Sequence, residues 1–161
     1  MYSFFKTLFK AGVPFGFFMG IFFSIIIEWK FGIIGGVVSG FLFGFLMAVF
    51  VEFQSRKFTK NRPLLPDEQL LKEGAANHFF NGEAVGGWIY LTNKRFYFKS
   101  HKANIQNHEL PIPLEEIVNA EKSNTLGIIP NKLILTLQNG NTEKFVVNGS
   151  KAWAETVKTL I

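Results

Sequence analysis

The chain lacks cysteine altogether, and its three histidines, His78, His101 and His108, are spread over separate segments. Without cysteine the protein has no disulfide, no thiolate metal ligand and no cysteine nucleophile. The histidines show none of the short spacings typical of metal sites, and no nucleophile elbow, phosphate-binding loop or zinc-protease helix motif is present. Glu115-Glu116 is interpreted as solvent-facing loop rather than as a catalytic pair. We therefore expect a protein that is not an enzyme, without catalytic residues, metal or cofactor.

Charge is absent from two long apolar runs near the N-terminus. Ala11 to Ile27 contains 17 uncharged residues and Phe31 to Val51 contains 21. Helices of these lengths, at about 1.5 Å per residue, cross or nearly cross a hydrocarbon core. Only Glu28-Trp29-Lys30 separates the runs. The sequence therefore predicts an N-terminal segment at residues 1–10, then a two-helix transmembrane hairpin over residues 11–53, with spans at 11–27 and 31–51.

A signal peptide and a buried pair of soluble helices are the alternatives to this hairpin. A signal peptide would end in a small-residue cleavage site, but the first run ends Ile27-Glu28-Trp29-Lys30 and a second run follows at once. A soluble helix would need a polar face, and neither run has one. Neither run contains an ionisable residue, so no proton relay, ion site or transport path is indicated.

Positive charge lies beside the apolar runs rather than on the remainder of the chain. Residues 1–63 carry seven basic and two acidic residues, whereas residues 64–161 carry ten of each. A nucleic acid is not an expected partner, because its phosphates require cations gathered on a folded surface. Positive flanks remain cytoplasmic, so we expect a two-pass protein with both termini and the C-terminal domain in the cytoplasm. The juxtamembrane linker, residues 54–63, attracts anionic lipid or serves only as a stop-transfer flank through Arg56, Lys57, Lys60 and Arg62.

Small side chains recur every fourth residue in both apolar runs. We call these rows the small-residue ridges: Gly12, Gly16, Gly20 and Ser24 in the first run, and Gly32, Gly36, Gly40, Gly44 and Ala48 in the second. Small residues let helix backbones approach closely in lipid, where no hydrophobic force drives association. Two interpretations follow. Either the ridges pack against each other within the hairpin, or one of them forms homo-oligomers.

The remaining residues, 64–161, show the alternation of short β-strands. Leu133, Leu135 and Leu137 recur at every second position, and Asn81-Gly82 and Asn139-Gly140 are typical hairpin turns. A final helix is predicted with Ser150 as N-cap and one apolar face formed by Trp153, Ala154, Val157, Leu160 and Ile161. About seven strands and one helix predict a curved or barrel-like antiparallel sheet that the helix plugs.

Three motifs in this region resemble the GRAM domain family. The run from Gly87 to Ser100, GWIYLTNKRFYFKS, is similar to the core motif of that family, and Ile112 to Ile117, IPLEEI, resembles its step into the next strand. Glu68 to Gly74 is similar to its first strand. The resemblance implies a pleckstrin-homology fold, a seven-stranded antiparallel barrel or sandwich capped by a C-terminal helix. It also implies a non-enzymatic module that binds membrane lipids or proteins, with Trp88, Tyr90, Phe96 and Phe98 in the core.

The candidate contact residues fall into two groups. The basic run is formed by Lys94, Arg95, Lys99 and Lys102, and it either meets anionic headgroups or is an ordinary solvated face. Phe79 and Phe80, at the tip of the first hairpin, either dip into a membrane or complete the core. The loop of that hairpin, His78 to Glu83, carries no Lys or Arg, unlike the first hairpin of pleckstrin-homology domains that bind phosphoinositides.

Two functions are consistent with these features. The first is a membrane-anchored module that engages lipid headgroups. The second is a membrane scaffold, in which the hairpin oligomerises or binds a membrane partner while the β domain recruits a protein.

Overall fold

The computed structural model describes residues 4–102, 104–125 and 127–161. The chain divides into two compact units, Met1–Asn61 and Arg62–Ile161. The first unit is helical, and the second contains all of the sheet and the C-terminal helix. Each unit is described by itself.

Two helices form the first unit, α1 at Phe4–Ile26 and α2 at Trp29–Lys60. The helical conformation is interrupted at Ile27 and Glu28, and Glu28 is extended at φ −168° and ψ 152°. Trp29 and Lys30 already belong to α2. Both helices are long and apolar enough to cross a membrane. They are longer than the uncharged runs, and α2 continues to Lys60 through most of the predicted linker at residues 54–63.

The small-residue ridges face each other within the hairpin. A Cβ atom added to Gly16 would lie 2.6 Å from the carbonyl oxygen of Gly36 and 3.0 Å from the Cα atom of Gly40. A Cβ atom on Gly12 would lie 2.5 Å from the carbonyl oxygen of Gly40. The atoms that these Cβ atoms would meet belong to the backbone of the opposite helix. The two helices can therefore approach this closely only because glycine occupies these positions.

Seven antiparallel strands, a short 3-10 helix at Leu114–Glu116 and one α-helix form the described part of the second unit. The strands are β1 (Leu70–Phe80), β2 (Glu83–Thr92), β3 (Arg95–Ser100), β4 (Glu109–Pro113), β5 (Ile117–Thr125), β6 (Ile129–Leu137) and β7 (Thr142–Val147), and the helix is α3 (Ser150–Lys158). The strand order is β4-β3-β2-β1-β7-β6-β5. The sheet curls into a half-barrel, and the predicted fold, a helical hairpin followed by a pleckstrin-homology-like domain, is confirmed.

The core of this unit is drawn entirely from residues 76–157. Inward side chains of the strands, Phe96, Phe98 and Phe145 among them, form one cluster with Trp153 and Val157 of α3, and the Phe96 and Trp153 rings meet edge to face. Trp88 and Tyr90 are buried, as the resemblance implies. They lie on the opposite face of β2 from Ile89 and Leu91, which belong to the main cluster, because successive side chains of a strand point to opposite faces.

The predicted N-cap of α3 is wrong. Gly149, at φ 71° and ψ 41°, occupies the cap position, and Ser150 is the first helical residue. The buried hydroxyl group of Ser150 donates instead to the carbonyl oxygen of Pro130, 3.0 Å away. Ser150 therefore connects the start of α3 to β6. The local sequence pattern does not reveal this contact.

Candidate membrane-contact site

The first hairpin carries two aromatic side chains at one end of the half-barrel. Asn81 and Gly82 both have positive φ, 50° and 83°, which gives the tight turn typical of Asn-Gly between strands. Phe79 and Phe80 immediately precede this turn and are 36% and 37% exposed. Neither side chain is therefore fully in the core or fully in solvent.

The described residues of the β3–β4 loop, 101–102 and 104–108, lie against the same hairpin. The Gln106 side-chain amide donates to Glu83 Oε2 at 2.7 Å, and the Asn104 amide donates to the Gly86 carbonyl oxygen at 2.7 Å. These bonds hold the loop in place while Ile105 between them is 100% exposed. The Ile105 side chain is fully exposed to water although its loop is held in place, so Ile105 is a candidate contact residue.

We call Phe79, Phe80 and Ile105 the apolar rim. The Phe80 ring stacks on the His108 ring at 4.5 Å between centroids, which joins the hairpin to the loop. Lys132 of β6 lies 5.7 Å over the Phe79 ring, and Lys102 lies in the same loop as Ile105. Apolar side chains bordered by cations are the combination expected where a protein meets an anionic lipid surface.

Most cations of the basic run form ion pairs within the β domain. Lys94 pairs with Asp67, Arg95 with Glu68 at 2.6 Å, and Lys99 with Glu109 at 2.6 Å. The Lys94 hydrogen bond lowers the pKa of the Asp67 carboxyl group, and the bonds from Lys99 and Tyr97 lower the pKa of Glu109. Three of the four cations thus have acidic partners within the domain, and Lys102 is the member that lies beside the rim.

The juxtamembrane cations divide between the two units. Arg56 pairs with Glu52 at 3.0 Å along α2, which also carries Lys57 and Lys60 in its last turn. Arg62 belongs to the second unit, where it binds Glu73 of β1 through two contacts of 2.6 Å and 2.9 Å. Arg62 therefore takes part in the fold of the β domain.

The structure joins two of the separated histidines. His78 on β1 is 1% exposed, and its ring contacts both the His108 ring and the carboxylate of Glu143 on β7. Among the residues that the structure describes, no group of three or more His, Asp or Glu side chains could hold a metal ion. The cluster is therefore a hydrogen-bonded one.

Sequence reasoning missed Ile105, Lys132 and Glu143. Ile105 had a readable signal, since it is the one large aliphatic residue in the polar segment from His101 to His108. Lys132 and Glu143 had none, because they reach Phe79 and His78 only through the pairing of β1, β7 and β6.

The comparisons with known proteins agree with this architecture. The sequence pattern of the GRAM domain family matches residues 52–160. The chain belongs to the GRAM domain family. No curated protein matches the chain.

Several solved structures are similar to this chain. The C-terminal domain of an unknown protein from Leishmania infantum shares 18% identity at a TM-score of 0.50, over 68% of this chain and 94% of that one. The N-terminal pleckstrin-homology domain of Vps36 shares 15% identity at a TM-score of 0.46, and the match covers 60% of this chain and 84% of that one. The Slm1 pleckstrin-homology domain, in complex with inositol-4-phosphate, shares 13% identity at a TM-score of 0.46. The match covers 56% of this chain and 94% of that one. At such identities the likeness is one of fold.

Proposed function

We propose that this GRAM domain protein is a membrane-anchored lipid-binding module that is not an enzyme. Its β domain contacts the lipid surface through the apolar rim, and Lys102 and Lys132 meet anionic headgroups beside it. The observation that carries this proposal is the full exposure of Ile105 on a loop that is hydrogen-bonded to the first hairpin, whose Phe79 and Phe80 are partly exposed. Burial of apolar surface contributes about 25 cal/mol per Å², so insertion of these side chains into the lipid surface adds to the attraction of the cations.

The hairpin supplies the anchor in this proposal. Cations flank the open end of the hairpin, at Lys6 and Lys10 before it and at Arg56, Lys57 and Lys60 after it, while its tip carries one acidic and one basic residue. By the positive-inside rule both termini and the β domain lie in the cytoplasm. The anchor keeps the domain close to lipid, so that a weak contact at the rim is sufficient.

Vesicle flotation tests the lipid contact. The fragment 62–161 is suitable because its core contains only residues of its own unit. We expect it to float with vesicles of phosphatidylcholine and phosphatidylserine, less with phosphatidylcholine alone, and less again as salt screens the cations. Ile105→Asp should reduce the bound fraction at least about tenfold, because it removes an apolar contact and adds a repelled charge.

Matched variants separate the rim from the basic run. Ile128 is 82% exposed in the β5–β6 turn, so Ile128→Asp adds the same charge at an exposed isoleucine outside the rim and should leave flotation unchanged. Lys102→Ala with Lys132→Ala should weaken binding by about fivefold per charge. Lys94→Ala with Asp67→Ala removes an ion pair without changing net charge and should have little effect. Absence of flotation, or equal flotation of the two aspartate variants, would contradict the proposal and favour a protein partner.

A further inference from the structure

A row of polar groups, buried at His78 and partly exposed at its ends, connects β7, β1 and the β3–β4 loop. Glu143 Oε2 lies 2.8 Å from His78 Nε2, and His78 Nδ1 lies 2.9 Å from His108 Nε2. His108 Nδ1 in turn lies 3.0 Å from the carbonyl oxygen of Gln106. Each of these three contacts is at hydrogen-bond distance and needs one hydrogen between its two heavy atoms.

The number of available protons is smaller than the number of contacts. A neutral imidazole carries one ring proton, so two neutral histidines and a carboxylate supply two protons for three contacts. Whichever two contacts they fill, the third brings together two acceptors. These would be the carboxylate and His78 Nε2, the two facing ring nitrogens, or His108 Nδ1 and the Gln106 carbonyl oxygen. The observed geometry is satisfied only with a third proton.

Among the described residues, aromatic rings surround the middle of the row. Rings of Phe80 on β1, Phe98 on β3 and Phe145 on β7 pack against His78. Among the described residues, the charged groups bonded to the row are Glu143 itself and, through the Gln106 side chain, Glu83 of β2. Glu109, next to His108, instead binds Lys99 and Tyr97.

We propose that Glu143, His78 and His108 form a proton-binding site that retains one proton more than a carboxylate and two neutral imidazoles hold. This proton fastens the β3–β4 loop to the half-barrel through His108. Burial lowers the pKa of the His78 imidazole, and the hydrogen bond to Glu143 opposes this shift.

Loss of the proton has a definite consequence. One contact then becomes repulsive, and the loop that carries Ile105 loosens from the hairpin. Because the folded site holds a proton that the unfolded chain releases near neutral pH, its contribution to stability is present at lower pH and is lost as the pH rises through the value at which the site deprotonates. An effect of this proton on membrane contact rests on the proposed function. The proton count itself is independent of that function.

Histidine NMR on the full chain in detergent micelles counts the protons directly. With only three histidines, ¹⁵N-histidine labelling gives three assignable rings, and His101 lies outside the row and serves as an internal reference. Near pH 6 we expect a proton on His108 Nδ1, a coupling between His78 Nδ1 and His108 Nε2 across their shared hydrogen, and a proton between His78 Nε2 and the ¹³C-labelled Glu143 carboxyl group. If any one of these three is missing at all pH values, the proposal is overturned.

Glu143→Gln gives a sharper test, because a side-chain amide donates a hydrogen to His78 Nε2 without titrating. The variant should hold all three contacts at every pH. In the wild type, hydrogen exchange of the His108 amide, which donates to Ser100 Oγ at 2.9 Å, should accelerate between about pH 5 and 8 by roughly two- to tenfold beyond the intrinsic effect.

Glu121→Gln, on the exposed side of β5, is the matched control and should exchange like the wild type. The proposal fails if Glu143→Gln keeps the wild-type pH dependence or if the wild type shows none. These outcomes do not depend on lipid. A failure of flotation would leave them unchanged, so the two proposals are tested separately.

Discussion

The Arg95 guanidinium holds the Glu68 carboxylate in a two-point ion pair. Nε lies 2.6 Å from Oε1 and Nη2 lies 3.0 Å from Oε2, and the Glu68 side chain is fully covered. Arg95 also donates to the Pro63 carbonyl oxygen at 2.9 Å and lies 4.7 Å over the Tyr97 ring. The pair fastens the segment before β1 to the β2–β3 hairpin, so Arg95 serves the fold of the domain.

Glu68→Gln should destabilise fragment 62–161 by about 2 kcal/mol at neutral pH, because it removes a charge-assisted bidentate contact. Burial alone would raise the pKa of Glu68, but hydrogen bonds from Arg95 and Leu65 lower it overall. The contribution is therefore present above the ordinary pKa of a glutamate and is lost as pH falls through the lowered value. Urea unfolding at neutral and acidic pH measures both effects. A difference between variant and wild type that stays the same in acid would contradict this assignment.

Gly87→Ala should destabilise the β domain by about 2 kcal/mol or more, since the added methyl group has no space. Its Cβ atom would collide with the Lys99 carbonyl oxygen and lie 2.6 Å from Phe98 Cζ. Gly86→Ala is the matched control, with its nearest atom, His101 Cδ2, at 3.2 Å. Thermal or urea unfolding compares the two. Equal losses of stability would show that the close approach of β2 and β3 is not the reason for glycine at position 87.

Gly36→Ala should separate α1 and α2 in the hairpin. Its Cβ atom would lie 2.8 Å from the Gly16 carbonyl oxygen and 2.9 Å from the Gly20 Cα atom, which are backbone atoms and cannot move alone. At Gly35 the nearest atoms belong to the Phe23 ring, which can rotate, so Gly35→Ala is the control.

Spin labels at Lys6→Cys and Val51→Cys measure the separation of the helices, because the chain has no other cysteine. We expect a longer distance in Gly36→Ala than in Gly35→Ala. The same distance in both variants would mean that the ridges do not set the helix spacing. A change in oligomeric state in Gly36→Ala alone would favour the homo-oligomer interpretation.

Much of the fold was predictable because its signals are local. Uncharged runs, period-two alternation and Asn-Gly turns depend on neighbouring residues, and they correctly indicated the helices and the strands of the β domain. Helix ends were less predictable. The continuation of α2 to Lys60 crosses a polar segment whose residues are compatible with helix but do not require it.

The candidate site was less predictable because it depends on pairing across the sheet. The basic run looked free in sequence, yet its acidic partners lie 27 residues away for Lys94 and Arg95. His78 and Glu143 are separated by 65 residues. The register of β1 with β7 brings them together, and no pattern within either strand indicates that contact.

An environment-sensitive dye at position 105 tests the central claim most directly. The chain lacks cysteine, so Ile105→Cys and Ile128→Cys each give a single labelling site in fragment 62–161. On addition of vesicles containing phosphatidylserine, the account predicts a blue shift and a gain in intensity for the dye at position 105 and no change at position 128. No change at position 105, or equal changes at both positions, would contradict membrane contact through the apolar rim.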